Sequence, residues 1–205
     1  MTQLRIVVPE DFIADGMASI PEVGDRVGYL LQFHEGRPQA NPEVSNRVLA
    51  RVEVLNEGRL SAGWIDPSGT SHPGTYSMQL HGDGWRAYFR SSRLYQDTAT
   101  LTEAFGAGWP GVIPIDTETT GVVTRCQLIT RVSYPDPAGR HTQPSTDTLG
   151  PVPEGQKGFR LGLVPVGPAP QGASGWVAMG PPQDGPWTRE AGILVELETS
   201  APQPH

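Results

Sequence analysis

The chain has 205 residues, of which 37% are hydrophobic, so it is long enough for one domain, or two small ones, with a sizeable core. Its formal net charge of −7 would repel a nucleic acid at long range unless a local basic face outweighed the total. The single cysteine excludes an intrachain disulfide and a cysteine zinc cluster, and the 25 glycines and 21 prolines exclude a chain built mainly of long helices.

The N-terminal residues do not have the pattern of a targeting segment. Residues 1–12, MTQLRIVVPEDF, contain one short apolar patch that ends at Pro9, which is unlike a signal peptide. No window of the sequence approaches the roughly 20 consecutive apolar residues of a membrane span. We therefore expect a soluble cytoplasmic protein without a membrane partner.

Hydrophobic and polar residues alternate along four segments, which is typical of strands with one buried and one wet face. These segments are residues 23–33, 48–54, 122–134 and 193–197. In the third of them the alternation places Val122, Cys126 and Leu128 on the buried face. Cys126 is therefore expected to be a small core residue and not a nucleophile.

The clearest predicted element is a β-hairpin over residues 75–90. Apolar residues alternate on both arms, and Gly82-Asp83-Gly84 lies between them. Glycine allows the positive φ that such a tight turn requires.

The outer face of the second hairpin strand carries the candidate binding residues. Arg86, Tyr88 and Arg90 alternate there, and Arg93 follows. Arginine interleaved with tyrosine can stack on bases or hold an acidic peptide. The same pattern also fits a solvated strand face with cross-strand partners. Because the net charge is negative, we expect a protein or small-molecule partner and not a nucleic acid.

One short helix is predicted over residues 97–105, where Thr100-Leu101-Thr102-Glu103 resembles a capping box and Gly106 follows as a stop. Residues 135–157 are rich in Pro, Gly, Ser and Thr and lack periodicity, which indicates a long surface loop. The tail, residues 200–205, is expected to be frayed.

Residues 112–121, VIPIDTETTG, match the first metal-binding motif of the DEDD 3′→5′ exonucleases. In that motif Asp116 and Glu118 would both point at a pair of metal ions, as two-metal cleavage requires. The usual partners are missing, because no Asn-x-x-x-Asp follows and His141 and Asp147 are one residue too far apart. A strand end, a Thr-rich turn and the next strand explain the stretch without chemistry, so a metal-dependent hydrolase or nuclease is the runner-up.

No other catalytic constellation is found in the sequence. Gly-x-Ser-x-Gly, a phosphate-binding Gly-rich loop with lysine, and His-Glu-x-x-His are all absent. His81 and Asp83 could join a metal site, but a turn aspartate flanked by glycines needs no metal. We expect no metal and no cofactor.

Three segments resemble a family of small bacterial proteins catalogued only as a domain of unknown function. They are residues 22–27, EVGDRV; residues 118–125, ETTGVVTR; and residues 190–198, EAGILVELE. The resemblance implies that Thr119-Thr120-Gly121 is the entry to a sheet strand. It implies no activity and no site residues, because none is attached to the family.

Short strands with frequent turns predict an all-β fold, mainly antiparallel, that forms a small barrel or sandwich with one short helix. We expect a single β-rich domain over residues 1–199. Since no acid, base, nucleophile or ligand set converges, the favoured function is a non-catalytic binding or interaction module. The alternatives are the metal-dependent hydrolase and a structural component of a larger assembly, in which edge strands pair between copies. The candidate binding residues are Arg86, Tyr88, Arg90 and Arg93.

Overall fold

The computed structural model describes residues 2–35, 41–67, 69–141, 146–159 and 185–199, and these consist mainly of β-strands. One short helix, α1 (Glu10–Ala14), follows the first strand. The strands are β1 (Thr2–Pro9), β2 (Arg26–His34), β3 (Asn46–Val54), β4 (Trp64–Ile65), β5 (Ser71–His72), β6 (Tyr76–Gly82), β7 (Trp85–Ser91), β8 (Thr98–Ala107), β9 (Glu118–Ser133), β10 (Thr146–Pro151) and β11 (Trp187–Thr199).

Eight strands close into a mixed β-barrel. Around the ring the order is β9, β11, β1, β8, β3, β6, β7 and β2, and β2 pairs with β9 again. The β1–β8 and β2–β7 pairs are parallel, and the other pairs of the ring are antiparallel. The expected all-β, mainly antiparallel barrel is therefore confirmed, with β10 added to β9 outside the ring.

Two strands of the barrel change partners along their length. β8 pairs first with β3 and then with β1, and β2 pairs first with β9 and then with β7. A polar side chain bridges each split. The Asn46 amide accepts from the Arg5 N–H and donates to the Arg5 carbonyl, both at 2.8 Å. The Thr119 hydroxyl accepts from the Arg86 N–H at 3.0 Å and donates to the Arg86 carbonyl at 3.1 Å.

Most of the inward positions predicted by alternation in β2, β3 and β11 form the barrel core, whereas Val23 precedes β2 and is exposed. Ile193, Val195 and Leu197 are fully buried, as are the larger rings at the centre of the core. Phe33 makes T-shaped contacts with Phe89 and Phe105, with ring centroids 5.5 and 5.1 Å apart. Such edge-to-face pairs add to the free energy gained from area burial alone. The core therefore joins strands from all sides of the ring.

The predicted helix over residues 97–105 is wrong, because this segment is strand β8. Hydrogen bonding to β3, β1 and β2 overrides the local helical signal. In the described residues the α-helix is α1, which buries Phe12 and Ile13. It has Glu10 and Asp11 in its first turn, where carboxylates interact favourably with the helix dipole. Within the described part of the chain, no helix is long and apolar enough to cross a membrane.

The buried face predicted for β9 is correct only in its second half. Val122 is exposed and Val123 is buried, whereas Leu128 is buried as expected. The reason is a register shift in the β9–β11 pairing, where Glu196 pairs with Arg125 but Leu197 pairs with Val123. An extra residue in one strand moves every earlier side chain to the other face.

The prediction that residues 135–157 form a loop is wrong in part, because β10 lies within this range and pairs with β9. Its carboxylate at Asp147 accepts two hydrogen bonds from Arg131, at 2.7 and 2.8 Å, which fixes the strand against its neighbour. Residues 142–145 of the predicted loop and the tail at 200–205 lie outside the described residues.

Candidate functional site

The predicted hairpin is confirmed as β6 and β7, which pair antiparallel. Gly84 adopts a φ of +77° in the turn. The Trp85 ring lies against Gly82, which has room for it only because it lacks a side chain. A Cβ at this position would lie 2.0 Å from the indole nitrogen of Trp85. Ala87 and Phe89 point into the core. The even-numbered residues of β7 therefore face away from it.

The strand register extends this outer face across three strands. Arg51 of β3 lies opposite His81 of β6, and His81 lies opposite Arg86 of β7. Arg51, Arg86 and Arg90 are exposed. We call these three residues the arginine face. Arg51 is not among the residues predicted from the sequence, because its neighbours depend on the register between distant strands.

Arg86 is held on the arginine face by contacts with the chain that enters β9. Its guanidinium lies 3.3 Å from a carboxylate oxygen of Asp116, and the side chains are 46% and 68% exposed. Exposed ion pairs of this kind contribute little to stability, about 0–1 kcal/mol. Asp116 therefore orients Arg86 without withdrawing it from solvent.

Tyr88 does not have the position that base stacking requires. Although it lies between Arg86 and Arg90, its side chain is buried, with 8% exposure. Its hydroxyl is 3.0 Å from the Ser77 hydroxyl. Gln79, directly opposite Tyr88, donates to the Asp116 carbonyl at 3.2 Å, so the chain around Asp116 lies against this part of the face. Tyr88 supports the strand pairing and offers no open ring surface to a ligand.

Arg90 and Arg93 lie at the far end of β7. Arg90 donates through Nε to the Thr75 hydroxyl at 3.0 Å and remains exposed. Arg93, also exposed, donates its backbone N–H to the Ser91 hydroxyl. Beside them, Glu35 accepts hydrogen bonds from the hydroxyls of Ser91 and Tyr95. The bond to Glu35 raises the pKa of Tyr95.

The acidic pair of the exonuclease-like stretch is arranged as a turn. Asp116 receives the Glu118 N–H at 3.0 Å on one carboxylate oxygen and Arg86 on the other. Residues 112–115 are not a strand, which corrects the expected strand end, but β9 does begin at Glu118. Gly121 packs on β11, where a Cβ would meet the Glu198 carbonyl at 2.5 Å. Within the described ranges, no group of three or more His, Cys, Asp and Glu side chains is placed to hold a metal ion.

Two histidines of the described ranges contact carboxylates. His81 is 2.9 Å from Glu53, and His72 is 3.0 Å from Asp66 and stacks on Trp64 at 4.2 Å. His141 contacts the Ser133 hydroxyl at 3.2 Å, while Asp147 is bound by Arg131. His141 and Asp147 therefore do not act together as the late His and Asp of the exonuclease motif would.

Cys126 packs partly buried against the barrel core. Burial raises the pKa of its thiol from 9.0 to about 11. A raised pKa means that the folded state favours the neutral thiol. Its contribution to stability is therefore complete below pH 9 and is lost as the pH rises through 11.

Alkylation of Cys126 by iodoacetamide tests this assignment. At pH 8 we expect the folded protein to react roughly tenfold more slowly, or slower still, than the urea-unfolded chain, because the thiolate fraction falls more than the nucleophilicity rises. The folded rate should continue to rise toward pH 11. Equal rates for the folded and unfolded chains at pH 8 would show that the thiol is an exposed, ordinary cysteine.

The fold and the site together define a β-barrel with the arginine face on its outer wall. Comparisons with models of protein families, with curated proteins and with solved structures found no match. The resemblance to the domain of unknown function is thus neither supported nor refuted and stays a prediction.

Proposed function

We propose that the protein is a non-catalytic interaction module whose arginine face binds an acidic, extended segment of a partner protein. The observation that carries this proposal is the row of Arg51, His81 and Arg86 across three strands. Arg51 and Arg86 thereby bring two cations from distant parts of the sequence to one surface of a chain whose net charge is −7.

Charge on the arginine face favours an anionic partner. Of the three carboxylates near its arginines, Asp116 pairs with Arg86, Glu53 contacts His81, and Glu35 is bonded to the Ser91 and Tyr95 hydroxyls. Among the described residues, Arg51 and Arg90 have no carboxylate partner. Complementary charge increases the rate of encounter and sets specificity more than it sets affinity.

The spacing of the cations suits a strand-like ligand. Adjacent strands are about 4.8 Å apart, so Arg51 and Arg86 are separated by roughly 10 Å, and four residues along β7 place Arg90 roughly 13 Å from Arg86. In an extended peptide, carboxylates four positions apart span the same roughly 13 Å. Because Tyr88 is buried between the arginines, ionic contacts and not ring stacking would hold the segment.

The other two functions have weaker structural support. Asp116 uses both carboxylate oxygens within the chain, for Arg86 and the Glu118 N–H, which disfavours a hydrolase built on Asp116 and Glu118. Pairing of β10 between copies is disfavoured because the Asn41 amide reaches the Asp147 carbonyl, at 3.5 Å. We propose the cytoplasm as the location, in keeping with the single cysteine.

Fluorescence anisotropy with a short labelled peptide of alternating glutamate and serine tests the proposal. We expect binding that weakens as salt rises from about 0.1 M to about 0.5 M, because screening acts on exposed charges. Charge reversal in the double variant Arg51→Glu/Arg90→Glu should weaken binding by about tenfold or more. Neither residue has a carboxylate partner to lose, so the fold should survive.

The matched controls are a second peptide and a second variant. A peptide of alternating glutamine and serine should not bind. Arg26 is an exposed arginine at the start of β2, whereas β2 pairs with β7 only at its other end. Arg26→Glu should bind the glutamate peptide like the wild type, apart from the long-range effect of net charge. The proposal fails if the double variant binds normally, or if Arg26→Glu loses as much affinity.

A further inference from the structure

A cleft with a volume of about 370 Å³ opens on the barrel wall, apart from the arginine face. It lies where β1 and β3 separate, and the β6–β7 turn borders it. Its lining is mainly polar, with two arginines and one aspartate: Thr2, Gln3, Arg5, Ser45, Asn46, Arg47, Val48, Leu49, Asp83 and Trp85.

The cleft borders Asn46, whose side chain bridges the two strands. The Asn46 amide pairs with the Arg5 backbone as a neighbouring strand would. On the Thr2 side of Arg5, no pairing joins β1 to β3. Since alternate residues of a strand direct their backbone groups to the same edge, the N–H and carbonyl of Gln3 also face the cleft. They offer a donor and an acceptor to a ligand.

Two arginines make the cleft a site for an anion. Arg5 is fixed, because its guanidinium donates to the carbonyls of Glu43 and Ser45, at 3.1 and 3.4 Å, and its Nε lies 3.7 Å from a Glu196 carboxylate oxygen. Arg47 is exposed, and its side chain makes no hydrogen bond or ion pair with another described residue. A fixed cation beside one that is free to turn is suited to binding carboxylate or phosphate oxygens.

The remainder of the lining suits a short carbon skeleton. Val48 and Trp85 are almost fully buried and supply an apolar floor, while Leu49 is 68% exposed at the edge. Ligand sites commonly combine such apolar surface with a few convergent polar groups, in volumes of about 300–1,000 Å³. The volume here lies at the low end of that range.

We propose that this cleft binds a small organic anion, a compact molecule with carboxylate or phosphate groups. Arg47 and Arg5 hold the anionic groups, the Gln3 backbone meets a polar substituent, and the carbon skeleton lies on Trp85 and Leu49. The site is separate from the proposed peptide face, because the functional groups that would bind the two ligands have no residue in common.

Isothermal titration calorimetry with citrate and with inorganic phosphate tests the proposal and separates the two anion chemistries. We expect saturable binding of at least one of them to the wild type, and a loss of about tenfold or more in affinity in Arg47→Ala. Arg26→Ala is the matched control, because it removes an exposed arginine that belongs neither to the cleft lining nor to the arginine face.

The proposal would be overturned if neither citrate nor phosphate bound saturably at concentrations on the order of 10 mM. The proposal would also be overturned if Arg47→Ala bound like the wild type, or if Arg26→Ala lost as much affinity, since general electrostatic attraction would then suffice. The anisotropy assay with the glutamate peptide has its own variants, so failure of the cleft and failure of the arginine face can be told apart.

Discussion

Replacing Phe105 with alanine is expected to lower the free energy of unfolding by about 3–5 kcal/mol, the usual cost of removing a buried phenylalanine ring. Phe105 is fully buried, and its ring centroid lies 5.1 Å from those of both Phe33 and Trp85. Its strand pairs with β1 on one side and β2 on the other at this position. Urea denaturation followed by tryptophan fluorescence measures the change.

Thr100→Ala on the same strand is the matched control for Phe105→Ala. Thr100 is exposed, and we expect a change within about 0.5 kcal/mol. A loss of less than about 1 kcal/mol for Phe105→Ala would mean that the ring is not in the core. The strand assignment of residues 98–107 would then have to be abandoned.

Replacing Asn46 with alanine is expected to cost about 2–4 kcal/mol, although it removes only a small polar side chain. The buried amide makes two hydrogen bonds of 2.8 Å, one to the N–H and one to the carbonyl of Arg5. Its loss leaves the N–H and the carbonyl of Arg5 without partners, and each unpaired group costs about 1–3 kcal/mol. Water entering from the cleft offsets part of this cost. The same denaturation experiment measures the cost.

Asn41→Ala is the control for Asn46→Ala. The Asn41 side chain accepts the Glu43 N–H at 2.9 Å, at the start of a short 3₁₀ turn, and its amide makes one long contact of 3.5 Å to the Asp147 carbonyl, so its loss should cost about 1 kcal/mol or less. Equal effects of the two substitutions would contradict a special role for Asn46 in closing the split between β1 and β3.

Most of the barrel strands could be predicted because a half-buried strand leaves a two-residue pattern in its own sequence. The hairpin of β6 and β7 is the clearest case, since its turn glycines and both alternating arms are local features. The bulge that exchanges the faces of Val122 and Val123 has no such local signal, because it depends on pairing with β11.

Strand β8 shows why a local signal can mislead. Leu101, Ala104 and Phe105 have helical spacing, and Thr100 with Glu103 matches a capping box. In the structure Ala104 and Phe105 are both buried, in two different hydrophobic clusters, because this end of β8 is covered on both faces. A strand buried on both faces loses the alternation that would have identified it.

Of the candidate site, only the residues of strand β7 could be predicted from the sequence. The outward positions of Arg86 and Arg90 follow from the alternation of β7. Arg51 joins them through the register of β3 with β6, and Tyr88 is buried beside the chain around Asp116. Both facts depend on contacts between residues far apart in the sequence, as do the walls of the cleft.

A titration of ¹⁵N-labelled protein with the glutamate–serine peptide, followed by backbone amide shifts in two-dimensional NMR spectra, tests the interaction surface most directly. We predict saturable shifts concentrated on β3, β6 and β7 around Arg51, His81, Arg86 and Arg90, with β10 and the β11 amides unaffected. Shifts confined to another surface, or none at peptide concentrations on the order of 1 mM, would contradict the account.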